Sequence, residues 1–243
     1  PEQRLQALLG RGEVWFLLGQ YDQARENFAA VRALAPETGT RRWEAVALDR
    51  LGFSFRQQDQ IAAALEHQQA ALAISREIHD PVLTGHILNH LGFTYFVAER
   101  HQDSIAAHEE ARALLAAARD EAGLAESLHG LGDNLLFLGR FGASVEVYVE
   151  SLRLSDGIGN RSLAGENRYM IAFARQKRGE YAQGQPEAER SVAIHDEIGD
   201  VRNSSPALMV AALFATVFGD FWKALDYANR GVSLASQIGA VRT

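Results

Sequence analysis

An all-α solenoid of six antiparallel helical hairpins is the fold this sequence predicts, and three observations carry the prediction. Small residues recur every forty positions, at Gly12, Gly52, Gly92, Gly132, Ala172 and Ala212, and again at Ala24, Ala64, Ser104, Ser144, Gly184 and Ala224. Branched apolar residues keep the same beat at Leu34, Ile74, Leu114, Leu154, Ile194 and Leu234, with no slip of register. Inside each copy the apolar residues fall at helical spacing, as in Leu88, Leu91, Tyr95 and then Ile105, Ala111, Leu114. A fixed period of this length marks units that bury an apolar face only by stacking on their neighbours. The chain is therefore read as a single array of units 1–40, 41–80, 81–120, 121–160, 161–200 and 201–240.

Punctuation divides each unit into two helices. Gly19, Gly139, Gly179 and Gly219 sit where the first helix should stop, since glycine reaches the left-handed conformation of a helix C-terminus without steric cost; Asp59 and Glu99 stand there in two copies. Gly39, Gly159, Gly199 and Gly239 close the second helix. Asp80, Asp120, Asn160 and Asp200 follow as N-caps, and Pro81 suits a first helical position, where a missing N–H costs nothing. Small residues at the hairpin joint let two helix axes approach to about 8–10 Å. In the fifth unit Arg168 and Arg175 replace apolar residues, and Gly184-Gln185-Pro186 predicts a second helix that begins late, near Gln185. Pro206 similarly predicts a shortened first helix in the sixth unit, whose run from Ala207 to Phe214 has almost no polar face. Such a helix calls for a cover, from a seventh unit or by self-association with a second chain.

Composition narrows the class. Across 243 residues, 47% are apolar and 23% charged, as in a folded soluble protein. The formal charge of −7 argues against nucleic acid as a partner of this segment. With no cysteine there is neither a disulfide frame nor a thiolate nucleophile. The longest apolar stretch, Ala207 to Phe218, falls short of the ~20 residues that span a bilayer, and no leader opens the sequence, so no membrane partner and a cytoplasmic setting are expected. Lysine is confined to Lys177 and Lys223, a skew seen in GC-rich bacterial genomes. The sequence starts at Pro1 and stops three residues into what would be a seventh copy, the expectation being an excerpt of a longer protein.

In the first unit Leu8, Gly12, Trp15, Ala24, Phe28 and Pro36 follow the spacing W-x2-L-G-x2-Y, then A-x3-F, then P, and so resemble the tetratricopeptide repeat. Leu88, Leu91, Gly92, Tyr95, Ser104 and His108 keep the spacing with looser chemistry. The period here is forty rather than thirty-four, which lengthens the helices at the joint between units. Such long repeats are similar to those of kinesin light chains, spindle-orientation adaptors and the helical arms of MalT-like bacterial regulators. The resemblance implies an open right-handed superhelix whose first helices line a concave, peptide-binding face. The family's ligand-contacting positions map to Asp49, Phe53 and Arg56, to His86, Asn89, Phe93 and Phe96, to Glu126, His129 and Asp133, and to Glu166, Tyr169, Phe173 and Gln176.

Phe53, Phe93 and Phe173 share one offset, so they form an aromatic row if that offset faces the groove, and joint packing if it does not. Asn89 can donate to and accept from a peptide backbone. No phosphate loop, H-E-x-x-H helix or nucleophile elbow is present. His86, His90 and His129 with Glu126 and Asp133 have zinc-ligand chemistry, but a solvated polar helix face produces the same cluster, and no metal or cofactor is predicted. The reading is a non-catalytic scaffold that holds a protein or peptide segment, as the regulatory or sensor arm of a larger bacterial signalling or transcription-regulating protein. A small-molecule inducer sensor using the same groove is the alternative, and a six-hairpin toroid enzyme a remote one.

Overall fold

The computed structural model describes residues 2–39 and 41–237, and among them all regular structure is helical. The chain divides into two compact units, Pro1–Gly123 and Leu124–Thr243. In the first, α1 (Glu2–Leu17) pairs with α2 (Tyr21–Leu34), α3 (Arg42–Gln57) with α4 (Ile61–Glu77), and α5 (Pro81–Val97) with α6 (His101–Ala118). Helix α2 also packs on α3, and α4 on α5. The second unit repeats the scheme with most of α7 (Glu121–Phe137), α8 (Phe141–Gly157), α9 (Arg161–Lys177), α10 (Tyr181–Ile198), α11 (Val201–Val217) and α12 (Phe221–Gln237). From α5 onward, first helices begin at residues 81, 121, 161 and 201, so the helix boundaries obey the forty-residue beat.

Helix ends are built as the punctuation requires. Gly19, Gly139, Gly179 and Gly219 take φ of 73°, 72°, 76° and 79°, and Asp59 and Glu99 adopt the same left-handed turn at 59°. His79 and Arg119 do so at the ends of second helices, a use of non-glycine residues that the glycine pattern does not reveal. Gly239 lies outside the described residues. The N-caps form: Oδ1 of Asp80, Asp120, Asn160 and Asp200 accepts from the N–H of Leu83, Gly123, Leu163 and Asn203 at 3.0, 3.0, 3.2 and 3.1 Å.

Within each hairpin the glycine of the first helix receives one large side chain from the second. A Cβ built on Gly12 would lie 2.5 Å from the Phe28 ring, on Gly52 2.5 Å from Gln68, on Gly92 2.6 Å from His108, and on Gly132 2.5 Å from Tyr148. Ser104 Oγ donates to the Gly92 carbonyl at 2.8 Å, and His108 fills the space above that glycine. The fifth hairpin trades the pair for Ala172 and Ala188, both fully buried in a cluster that Val192, Leu208 and Phe214 complete. Phe214 lies 2.4 Å from a Cβ placed on Gly184, so the volume missing from the hairpin is supplied by the next one.

The two proline expectations are corrected. Helix α10 begins at Tyr181, not Gln185, and runs through Pro186; α11 begins at Val201 and runs through Pro206. Each proline is the sixth residue of its helix, and the carbonyls its N–H would have reached, on Ala182 and Arg202, belong to exposed residues, where the loss of the bond costs less than in a buried turn. Arg168 and Arg175 do not open the hairpin either: Arg168 pairs with Glu187 at 2.7 Å and Asp156 at 3.3 Å, and Arg175 donates to the Gln183 carbonyl at 2.8 Å. No helix of the described residues is long and apolar enough to cross a membrane.

Candidate functional site

The first helices of the first unit carry a stacked column of rings. Phe53 of α3 lies parallel to Phe16 of α1 (centroids 4.8 Å apart, planes 24° apart) and to His90 of α5 (5.2 Å, 25°). The Arg56 guanidinium sits 4.6 Å from the Phe53 centroid and 5.8 Å from that of Phe93, bridging two aromatics that share one repeat offset. Phe93 meets His108 edge to face at 4.8 Å, and Phe96 meets His101 at 5.4 Å. Phe53, Arg56, Phe93 and Phe96 are all half-buried: one side of each packs into a joint and the other faces out.

Beneath this column the polar residues are held from inside. Asp49 is 4% exposed, and His90 Nδ1 donates to both its carboxylate oxygens at 2.9 and 3.0 Å, with Arg50 3.5 Å away. Burial alone would raise the Asp49 pKa; the charge and hydrogen bond of His90 reverse that and hold it below the usual carboxylate value. His86 Nε2 reaches Asp120 Oδ2 at 2.8 Å, steadying the carboxylate that caps α7. Asn89 is fully buried; its amide donates to the Gly123 carbonyl at 2.9 Å and its oxygen accepts from His108 Nδ1 at 3.3 Å. The expectation that Asn89 bonds a peptide backbone is therefore revised, because the joint consumes its amide. His90 is missing from the mapped positions because it stands one offset away from them, yet its pairing with Asp49 forty-one residues earlier makes it the anchor of the column.

In the second unit His129 plays the central part. Its Nδ1 donates to Asn167 Oδ1 at 3.0 Å, Asn167 Nδ2 in turn reaching Ser151 Oγ at 2.9 Å, so Nε2 is the nitrogen left to titrate. Nε2 lies 3.7 Å from Asp133 Oδ2 and 3.8 Å from Glu166 Oε2. Asp133 accepts from the Tyr148 hydroxyl at 2.6 Å, and Glu166 from Asn203 at 2.9 Å. Burial raises the pKa of Asp133 and of Glu166, against the pull of His129. Burial would lower that of His129, but the two carboxylates outweigh it and the net direction is upward. Glu126 and Tyr169 are half-buried beside them, and Phe173 packs on the α9–α11 core with Lys177 4.8 Å over its ring. His86, His90 and His129 each have a separate partner, and no cluster of three metal-ligating side chains exists among the described residues.

A titration follows from these directions. With its folded pKa above the unfolded value of ~6.5, His129 contributes stability that is complete below that pH and is lost as pH rises through the folded pKa. Buried His195 has a lowered pKa and acts oppositely, so a variant is needed to separate them. Urea denaturation of wild type and His129→Gln at pH 6 and pH 8.5 should show a larger loss at the lower pH; an equal loss at both would contradict the assignment.

Comparisons with known proteins agree with this architecture. The tetratricopeptide repeat family model matches residues 3–77 and 83–156, more than half of the chain. No match was found among curated protein sequences. Among solved structures, a Rap protein complexed with Competence and Sporulation Factor superposes with a TM-score of 0.78 at 13% identity, over 96% of this chain and 64% of that one. A signal transduction ATPase with numerous domains and a tetratricopeptide repeat sensor, from Pyrococcus horikoshii, gives 0.75 at 13% identity, over 97% of this chain and 36% of the ATPase. BtubC from P. vanneervenii gives 0.67 at 17% identity, over 100% of this chain and 93% of that one. On the extent of the family match and the paired-helix architecture together, the chain belongs to the tetratricopeptide repeat family.

Proposed function

We propose that this chain is a non-catalytic array that holds a peptide or protein segment against its first helices, as the regulatory or sensor arm of a larger bacterial signalling or transcription-regulating protein. The observation that carries the reading is the Phe53–Arg56–Phe93 surface, half-buried rings and a guanidinium whose positions are fixed from below by Asp49 and His90. Such a surface loses little side-chain entropy on binding, and its rings and fork-shaped donor suit an extended backbone with aromatic or acidic side chains. The Rap structure complexed with Competence and Sporulation Factor and the signal transduction ATPase with a tetratricopeptide repeat sensor support a regulatory setting.

The test is binding of an arrayed library of short peptides to wild type and to Arg56→Ala/Phe93→Ala. Loss of bound peptides by about tenfold or more, with an unchanged melting temperature, is the expected result. Undiminished peptide binding would remove these residues from the site, and a metabolite raising the melting temperature in place of any peptide would favour the inducer-sensor alternative.

A further inference from the structure

His195 of α10 is fully buried where α9, α10 and α11 meet, and neither nitrogen of its ring has a hydrogen-bond partner. The ring lies over Gly165 of α9, where a Cβ would come within 2.7 Å of Cε1 and Nε2. The seat belongs to the repeat: in the third hairpin Leu115 stands at the same offset over Gly85, where a Cβ would come within 2.6 Å. Ala35, Ser75 and Ser155 hold that offset in other hairpins, and both serines donate within their own helices, to the Leu72 and Ser151 carbonyls. The position accepts an apolar or self-satisfied residue, so an imidazole there carries a desolvation cost that packing does not require.

The carboxylate beside the ring is Asp200. Its Oδ2 stands 3.7 Å from His195 Nδ1, and its N–H donates to the His195 carbonyl at 3.0 Å, so the backbone keeps the two side by side. Both oxygens of Asp200 are in use. Oδ1 caps α11, while Oδ2 accepts from Ser162 of α9 at 2.7 Å and from the Asn203 amide at 2.9 Å. Asn203 also donates to Glu166 of α9 at 2.9 Å, so these bonds tie the first helices of the fifth and sixth hairpins together. Asp196 of α10, paired with Arg230 of α12 at 2.7 Å, and Tyr169 of α9, 6.5 Å away ring to ring, also stand near the imidazole.

From an unbonded imidazole beside the carboxylate that ties two hairpins, we infer that His195 is an acid-operated latch. One proton taken from solvent makes both ring nitrogens donors, and Nδ1–H then draws Asp200 Oδ2 away from Ser162 and Asn203, loosening α11 from α9. Burial lowers the His195 pKa against the pull of Asp200 and Asp196, so the ring is neutral at pH 7. Burial alone would raise the Asp200 pKa, but the bonds from Ser162 and Asn203 hold it down, and the acceptor stays charged while the ring titrates. With the folded pKa below the unfolded value of ~6.5, the opened joint binds the proton more readily, and the joint weakens as pH falls below ~6.5.

Amide hydrogen exchange at pH 7.5 and pH 5.5, corrected for the intrinsic pH dependence of exchange, tests the latch. In wild type, protection across α9 and the start of α11 should fall about tenfold at the lower pH, the effect of an opened ring titrating one unit above that pH and a closed ring that does not. His195→Leu, which places the third hairpin's residue in the same seat, should lose this acid response. His129, whose Nε2 lies 3.8 Å from Glu166, titrates in both proteins, so the difference between them isolates His195. Should His195→Leu melt early, His195→Ser, the residue of the second and fourth hairpins, serves in its place. Ser162→Ala removes the bond that acid is to break, and should exchange faster already at pH 7.5 with less added by acid. Equal protection of wild type at both pH values would overturn the inference, as would an undiminished acid response in the His195 variant or in Ser162→Ala.

Discussion

Phe214→Ala is expected to lower the unfolding free energy by about 3–5 kcal/mol, the range for truncating a fully buried aromatic side chain. The ring fills the notch over Gly184 and closes the cluster of Ala172, Ala188 and Val192, a hairpin whose own facing pair is two alanines. The same geometry predicts a coupled loss. Gly184→Ala places a methyl 2.4 Å from Phe214 Cζ and should cost about 1–3 kcal/mol by overpacking. In the Gly184→Ala/Phe214→Leu double variant the added methyl meets a smaller side chain, so the combined loss should be less than the sum of the two singles. Chemical denaturation of the four proteins checks this, and strict additivity would show that the two residues do not share the notch.

That notch also shows what the sequence discloses and what it hides. The forty-residue beat, the caps at Asp80, Asp120, Asn160 and Asp200 and the glycine turns could all be read directly, because each depends on one residue type at one position. Pro186 and Pro206 misled, because the cost of a proline depends on whether the carbonyl it abandons is solvated, which is a tertiary property. The reciprocity of Gly12 with Phe28 and Gly132 with Tyr148 is visible in hindsight as a large residue sixteen positions after each glycine. At the candidate site the offsets picked out Phe53, Arg56 and Phe93, which the structure brings together through the Arg56 guanidinium. They could not tell that Asn89 spends its amide on Gly123, because that choice is made by the helix packed opposite, whose register no single-copy pattern encodes.

His90→Leu should be destabilising by about 1–3 kcal/mol, the range for leaving a buried hydrogen-bonded group without its partner, since His90 Nδ1 donates to both Asp49 oxygens. Most of that loss is the cost of leaving the Asp49 carboxylate charged and buried. The double variant Asp49→Leu/His90→Leu, which removes both hydrogen-bonding partners, should therefore recover most of the stability. The pH dependence gives an independent check. Asp49 has a lowered folded pKa, so its contribution is present above its unfolded value of ~3.9 and is lost as pH falls through the folded one. In His90→Leu the carboxylate takes up a proton more readily, and the gap to wild type should narrow as pH falls toward 4. Activity at the candidate groove supplies the link to function: His90 stacks on Phe53, and Phe53 carries Arg56, so His90→Leu should weaken peptide binding even where the fold survives. The single and double His90 variants separate the two effects, because the double variant restores stability but not the stacked imidazole. If it also restored full binding, the ring column would be a product of packing alone, and the peptide surface would have to be sought elsewhere on the first helices.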